Sequence, residues 1–174
     1  MLPTPDDVTI IRRTPLFSAL DEAQAMALLR GARVRDYAEE SLLFSAGDRA
    51  DHFYAVLRGS VRLFALNEEG DETIIEVIGA DNSFAEGAIF GAGRYPVHAE
   101  VFSGARVVSI NAAPLLEALR SDSSMAMAVL ASLCRWQLNL MAEIRRLKAQ
   151  APAQRLAWFL VSLAGDVSGE AVFR

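Results

Sequence analysis

The sequence is poor in the side chains that bind metals through sulfur or imidazole. It has one cysteine, Cys134, and two histidines, His52 and His98, among 174 residues. A single thiol cannot form a disulfide within the chain, and it cannot supply the four thiolates of an iron–sulfur cluster or a zinc site. Both kinds of four-thiolate site are therefore excluded within one copy of the chain.

Long apolar runs are also missing. No stretch approaches the roughly 20 apolar residues that span a bilayer. Residues 1–7 (MLPTPDD) have no basic segment ahead of an apolar one, as a signal peptide would. Together with the single cysteine, these absences predict a protein of the cytoplasm.

Positive charge is in the minority. The formal net charge is -5, with 17 Lys and Arg against 22 Asp and Glu. Such a chain offers no overall basic surface to a nucleic acid. With 52% hydrophobic and 22% charged residues, the composition is typical of a globular domain with a buried core.

Residues 1–31 are predicted to form an N-terminal helical segment. Asp21 and Gln24 have the spacing of a capping box, in which each side chain binds a backbone N–H of the other residue. Apolar residues follow at helical spacing, and Gly31 is expected to end the helix.

Residues 32–111 are predicted to form a mainly β domain, an antiparallel sandwich or jelly roll. Turn signals separate short apolar runs, which is typical of such folds. Residues 69–71 (EGD) favour a hairpin between two of the runs. The runs that predict strands are residues 42–44, 53–57, 61–66, 73–78, 99–102 and 107–110.

Residues 112–151 are predicted to be helical again. Pro114 fits the first turn of a short helix, and Ser123 or Ser124 is expected to cap a long one that reaches about Gln150. Apolar residues recur along the long helix every three or four positions, which favours a dimer seam. The first stripe comprises Val129, Leu133, Trp136, Leu140, Ile144, Leu147 and Ala151, and a second comprises Leu130, Cys134, Leu138 and Met141.

Residues 152–174 are predicted to connect this region to something further. Pro152 is expected to end the long helix, and a shorter helix would follow it up to Gly165. Residues 170–174 (EAVFR) begin a strand-like run. The chain is therefore expected to be a truncated one.

Several motifs resemble those of the Crp/Fnr transcription regulators. Residues 44–48 (FSAGD) and 53–61 (FYAVLRGSV) resemble the family's F-x-x-G-D and F-Y-x-(apolar)-x-x-G-x-V patterns, in which Gly47 and Gly59 would adopt a positive φ in tight turns. Residues 84–90 (FAEGAIF) resemble its phosphate-binding cassette. The order of helix, eight-stranded roll, long helix and short helix also resembles the family's layout.

The resemblance covers about residues 15–165. Residues 155–160 (RLAWFL) resemble the helix that leads into the winged helix-turn-helix. The resemblance to the Crp/Fnr regulators implies that residues 32–111 bind an effector and that residues 112–151 hold a homodimer. It also implies that DNA is bound by a C-terminal domain absent from this chain. An effector between the roll and the long helix would then shift the helix seam and reposition the DNA-binding domains.

The cassette departs from that of cyclic-nucleotide binders where the phosphate is held. Those proteins follow the cassette with Arg-Ser or Arg-Thr, and Pro96 and Val97 stand at the matching place. Proline offers neither charge nor an N–H, and valine has no hydroxyl. Glu86, the ribose ligand in nucleotide binders, is retained. Leu140 and Met141 replace the adenine-binding Thr-Ser pair, so cAMP is not expected to be the effector.

The resemblance implies an effector pocket and a dimer interface. The expected pocket residues are Phe84, Ala85, Glu86, Gly87, Arg94, Tyr95, Pro96, Val97, His98, Leu140 and Met141. The expected interface residues are Val129, Leu133, Trp136, Leu140, Ile144 and Leu147.

The Phe-Ala-Glu start of the cassette and Tyr95 resemble the Dnr/NnrR branch, whose members respond to nitrogen oxides and are thought to sense nitric oxide with haem. This likeness makes haem a candidate cofactor, with His98 as the candidate axial ligand and Met141 or a lysine as alternatives. A filled pocket without any cofactor is the other interpretation. The oxygen-sensing Fnr branch requires four cysteines and is excluded.

An enzyme is not expected. A cupin would need a His-x-His pair and a glutamate on its metal, whereas His52 and His98 are far apart in sequence. The sequence has no P-loop and no Gly-x-Gly-x-x-Gly ahead of a helix. A stand-alone regulatory module that acts through protein contacts stays open as the alternative function.

Overall fold

A computed structural model describes residues 1–149, without the side chains of residues 136, 139, 140, 143 and 146–149. The predicted fold class is confirmed, because a mainly antiparallel sheet is flanked by helices. Tertiary contacts separate Met1–Leu133 from the rest of the chain. Residues 150–174, which include the predicted connecting helix and strand-like run, lie outside the described residues.

Three short helical elements precede the sheet. Helix α1 (Pro5–Ile11) begins at Thr4, whose side chain accepts a hydrogen bond from the Asp7 N–H, and the sequence patterns did not predict it. A 3-10 helix (Phe17–Ala19) follows. In α2 (Glu22–Leu29) the predicted capping box is confirmed: the side chain of Asp21 accepts from the Gln24 N–H, and that of Gln24 accepts from the Asp21 N–H.

The strands form one antiparallel sheet in the order β1-β6-β3-β4, with β2 paired to β6 and β5 paired to β3. Most apolar side chains of β3 and β6 turn inward and form the core with residues of the helices, among which Ile11, Phe17 and Leu115 are fully buried. In β4, by contrast, Ile74, Ile75 and Val77 are exposed. The strands are β1 (Arg33–Tyr37), β2 (Leu42–Phe44), β3 (His52–Leu66), β4 (Glu72–Gly79), β5 (Ser83–Phe84) and β6 (His98–Asn111).

The expectation of eight strands is wrong for the described residues, which contain six. Strand β3 unites the predicted strands 53–57 and 61–66, and β6 unites the runs 99–102 and 107–110. The register between β3 and β6 shifts on both sides of Ser60, and a Cβ on Gly59 would overlap the carbonyl oxygen of Gly104. The turn signals therefore mark bends in continuing strands.

Two local predictions are confirmed in this region. Gly47 and Gly59 have the predicted positive φ, with values of 87° and 78°, although Gly59 lies within β3 and not in a tight turn. The segment around Gly70 joins β3 to β4 as an antiparallel hairpin in which Leu66 pairs with Glu72.

Helix α1 is attached to the sheet by a buried ion pair. The guanidinium of Arg106 on β6 binds both carboxylate oxygens of Asp7 at 3.0 Å, and a further N–H of the same group binds Asp36 at 2.8 Å. The side chain of Asp7 is only 7% exposed. Arg106 lowers the pKa of Asp7 to about 2.

The helices after β5 are α3 (Glu86–Phe90), α4 (Ala112–Ser121) and α5 (Ser123–Ala149). Pro114 lies in the first turn of α4 as predicted. The predicted cap of α5 is wrong. The cap is Asp122, since an N-cap residue precedes the first helical turn. Its side chain accepts hydrogen bonds from the N–H groups of Ser124 and Met125.

One side of α5 belongs to the core and another is open. Val129, predicted to lie in a dimer interface, is 3% exposed and packs in the core of its own chain. From the same predicted stripe Leu133 and Ile144 are exposed, and the side chains of Trp136, Leu140 and Leu147 lie outside the described residues. The whole second stripe is exposed: Leu130, Cys134, Leu138 and Met141.

Among the described residues, no helix is both long and apolar enough to cross a membrane.

Candidate functional site

Four aromatic side chains pack together beside the cassette. Tyr95 stacks on Phe44 with ring centroids 3.7 Å apart, and Tyr54 stacks on Phe84 at 5.3 Å. Phe44 lies 5.5 Å from Tyr54 and joins the two stacks. All four are buried. These residues are called the aromatic cluster below.

The hydroxyl of Tyr95 is bound to the backbone. It donates to the carbonyl oxygen of His52 at 2.7 Å. Burial raises the pKa of both tyrosines of the cluster, Tyr54 and Tyr95. The buried hydroxyl of Tyr95 therefore has a hydrogen-bond partner within the fold.

The cassette itself begins with strained backbone. Ala85, which precedes α3, has a φ of 72° and lies in the left-handed region, which alanine seldom adopts. Glu86 follows and is half-buried. Burial raises the pKa of Glu86. Gly87 is exposed, whereas Phe84 before the cassette is buried.

The segment after the cassette enters the fold through Tyr95. Tyr95 is 4% exposed, whereas Arg94 and Pro96 are exposed and Val97 is half-buried. Arg94 donates to the carbonyl oxygen of Gly47 at 2.6 Å. Pro96 therefore lies at the surface beside the inserted tyrosine, and its place at an effector pocket stays a prediction.

His98 lies on the other side of β6 from the aromatic cluster. Its neighbour Ala99 is fully buried and pairs with Phe44, and successive side chains of a strand point to opposite faces. The imidazole instead stacks on Phe64 at 5.0 Å, and its Nδ1 accepts from the Ala46 N–H at 3.4 Å. His98 therefore lies on a different face from Tyr95, and its place in an effector pocket stays a prediction.

Two residues of the long helix were predicted to close the pocket. Met141 is exposed, and the side chain of Leu140 lies outside the described residues. No group of three or more His, Cys, Asp or Glu within residues 1–149 could hold a metal ion.

A family model described as the cyclic nucleotide-binding domain matches residues 34–122, from β1 to the end of α4. The chain belongs to the cyclic nucleotide-binding domain family. It is a sensor domain of the Crp/Fnr type, as its relatives show.

The cAMP-activated global transcriptional regulator CRP of Haemophilus influenzae is 26% identical over 137 residues, which are 78% of this chain and 61% of that protein. The structure of DNR from Pseudomonas aeruginosa has 26% identity and a TM-score of 0.76, covering 98% of this chain and 75% of its own. The structure of a "putative cAMP-binding regulatory protein" from Silicibacter pomeroyi DSS-3 has 31% identity and a TM-score of 0.77, covering 92% of this chain and 73% of its own.

In this cyclic nucleotide-binding domain the residues beside the cassette are mainly aromatic. Arg94, the arginine next to the cluster residue Tyr95 in sequence, is exposed with its guanidinium on a backbone carbonyl. A phosphate is bound best where charged donors converge on it. Next to the cassette the structure thus places buried rings and the half-buried carboxyl of Glu86.

Two members of the aromatic cluster were missed in the sequence. Phe44 and Tyr54 belong to motifs that the resemblance identified, but only their pairing partners reveal that they meet Tyr95. Phe44 pairs with Ala99, and Tyr54 pairs with Phe84. Strand alternation could have assigned their face, whereas the register of β2 and β5 was not available from the sequence.

Proposed function

We propose that this chain is the sensor and dimerisation region of a Crp/Fnr-type DNA-binding transcription regulator whose effector is not a cyclic nucleotide. The observation that carries the proposal is the burial of Tyr95 next to the cassette, stacked on Phe44. The relatives are transcription regulators, which supports a role in regulation and not in catalysis.

The energetic argument concerns the cyclic phosphate. Removing one buried charged contact costs about 2–5 kcal/mol, which corresponds to roughly 30- to 5,000-fold in affinity. Arg94 would have to release the Gly47 carbonyl and move inward to compensate.

Titration calorimetry with cAMP and cGMP tests the proposal. We expect no saturable heat at micromolar protein. A micromolar dissociation constant would contradict the proposal, and the matched variant Arg94→Ala would then reveal whether that arginine holds the phosphate.

Homodimerisation through α5 is part of the proposed function. The exposed apolar stripe of the helix supports it, since such a surface is costly in water. The relevant side chains are Leu130, Leu138 and Met141 with Leu133 and Ile144 beside them. A cytoplasmic location fits a partner that is DNA.

DNA binding is assigned to a domain outside this chain. The net charge of -5 supports this, since non-specific DNA affinity depends on cationic contacts. A gel shift at low salt is expected to show no complex for residues 1–174. A salt-sensitive shift would contradict the assignment and point to the arginines of α5. Under the alternative function, a stand-alone module that acts through protein contacts, no protein that contains this chain would bind DNA.

A haem-dependent response to nitric oxide is the second candidate, favoured by the likeness to DNR and by the aromatic interior. His98 stacks on Phe64 away from that interior, so haem bound beside the cassette would need another ligand. Haem titration followed at the Soret band tests this candidate, with His98→Ala as the second protein. The absence of a saturable Soret shift would exclude haem, and identical shifts in both proteins would exclude His98 as the ligand.

A further inference from the structure

Asp122 is the only residue between α4 and α5, and both of its carboxylate oxygens are used. Its backbone is extended, with φ and ψ of -121° and 100°. One oxygen accepts from the N–H groups of Ser124 and Met125 at 2.9 and 3.1 Å. The other accepts from the side-chain amide of Gln24 on α2 at 3.0 Å. These hydrogen bonds lower the pKa of Asp122.

Gln24 is held on both sides of its amide. Its Oε1 accepts from the Asp21 N–H at 3.1 Å, and its backbone N–H donates to Asp21 at 2.8 Å. The amide has an acceptor and a donor, so it serves these two neighbours at once, which an ionised carboxylate cannot do. The capping box of α2 and the cap of α5 are thus joined through one side chain.

A second polar contact lies farther along α5. The hydroxyl of Ser132 donates to the carbonyl oxygen of Pro15 at 2.8 Å, and Ser132 is 8% exposed. Met125 and Val129 lie between Asp122 and Ser132 on the same side of the helix, since the spacings are three and four residues. Both are buried in the core.

Apolar burial alone does not select the face by which α5 packs. Met127, Leu130 and Leu133 are as apolar as Met125 and Val129, yet they are 64%, 52% and 43% exposed. The hydrophobic effect is not directional, whereas hydrogen bonds require a particular distance and angle. The two polar contacts are therefore the features that distinguish one rotation of this helix about its axis from another.

We propose that Gln24 and Ser132 are positioning residues that fix the rotation of α5, and that the N-terminal helices thereby select the apolar face offered to a second copy of the chain. This inference rests on the proposed homodimer. It gives residues 15–24, which lie far from the cassette in sequence, a part in setting the geometry of the dimer.

The variant Gln24→Glu tests the hydrogen bond between Gln24 and Asp122 while preserving the capping box of α2, in which glutamate is a favoured residue. At pH 7.5 the new carboxylate faces Asp122 and cannot donate to it. We expect the dimer dissociation constant, measured by analytical ultracentrifugation, to rise about 10-fold, which is about 1.4 kcal/mol. Lowering the pH to 4.5 begins to protonate the carboxylates at positions 24 and 122. The dimer dissociation constant of the variant, divided by that of wild type at the same pH, is then expected to fall.

The double variant Gln24→Glu/Asp122→Asn is the matched rescue. Asparagine caps a helix as well as aspartate does, and its amide can donate to the carboxylate introduced at position 24. We expect the dissociation constant to return to within about threefold of wild type. Ser121→Ala serves as the control, because the Ser121 hydroxyl bonds only to carbonyl oxygens of its own helix.

Amide hydrogen exchange provides a readout that does not depend on dimerisation. We expect faster exchange in residues 124–133 of Gln24→Glu and of Ser132→Ala, with unchanged exchange in β3 and β6. A monomeric wild-type protein would contradict the homodimer. The exchange data alone would then test whether Gln24 and Ser132 hold α5 in place. The inference is overturned if Gln24→Glu leaves both the dissociation constant and the exchange unchanged, if it lowers only the free energy of unfolding, or if the double variant fails to rescue.

Discussion

The aromatic cluster and the open side of α5 are both apolar, but only the first is complete within one chain. Tyr95 and Phe44 are 4% and 6% exposed, and the Tyr95 hydroxyl finds its partner inside the fold. Leu138 and Met141 are 65% and 60% exposed. Burial of apolar surface is worth about 25 cal/mol per Å². The first region therefore stabilises the single chain, and in the proposed dimer the second would contribute that free energy to assembly.

This difference matches the two tasks proposed for the domain. In the proposed function, the choice of ligand depends on the side chains next to the cassette, where aromatic packing stands in place of a phosphate contact. Assembly would depend on the open side of α5, which needs only apolar residues at helical spacing.

The largest expected effect is at the aromatic cluster. Tyr95→Ala removes a buried ring and should lower the free energy of unfolding by about 3–5 kcal/mol, measured by urea denaturation. Tyr95→Phe keeps the ring and loses the hydroxyl, so we expect about 1 kcal/mol. Equal stability of Tyr95→Ala and wild type would show that the interior is not closed by this residue.

The open side of α5 should respond in assembly and not in folding. Leu138→Glu places a charge in the proposed interface, where a central contact is worth about 2–4 kcal/mol, or roughly 30- to 1,000-fold in the dimer dissociation constant. Light scattering should detect monomers. Met26→Glu, at an exposed apolar residue of α2, is the control and should leave the mass unchanged. If the wild-type protein is a monomer, the open side of α5 does not serve assembly, and the comparison between this side and the aromatic cluster fails.

A smaller effect is expected where α1 meets the sheet. Arg106 holds the pKa of Asp7 at about 2, below its ordinary value of 3.8. A lowered folded-state pKa gives stability that is present above about pH 4 and is lost as the pH falls through about 2. Asp7→Asn should therefore cost about 2 kcal/mol at pH 7, and the difference from wild type should shrink between about pH 4 and pH 2.

Urea denaturation at pH 7 and pH 3 measures this difference. Asp36→Asn is the comparison variant, because the Asp36 side chain is 54% exposed and exposed ion pairs contribute little. An equal loss in both variants would contradict the assignment of the stability to burial of Asp7.

The smallest effect concerns Glu86. Burial raises its pKa, so the folded state binds the proton more tightly than the unfolded state, and stability falls as the pH rises through the folded-state pKa. Glu86→Gln removes this cost and should raise Tm at pH 7 by about 2–4 °C for each kcal/mol gained. The gain should vanish at pH 4. An increase in Tm that is the same at pH 7 and pH 4 would contradict burial of the Glu86 carboxylate as its cause.

Much of the architecture followed from local patterns. The capping box of α2, the hairpin at Gly70 and the helical period of α5 depend on neighbours in sequence, and these predictions are confirmed. The cassette motif located Phe84 and Glu86 at the site. Strand continuity was not predictable, because Gly59 permits a bend as readily as a turn, and the backbone of Gly104 on β6 decides between them.

Motifs and residue types were enough to establish the family, the fold class and the loss of the phosphate-binding pair, because none of these depends on packing. Three placements required the folded chain: Tyr95 enters the core, His98 faces away from it, and Val129 is buried in its own chain. Each of them depends on strand register or on the rotation of a helix. Contacts between residues distant in sequence set both, and a local pattern does not contain them.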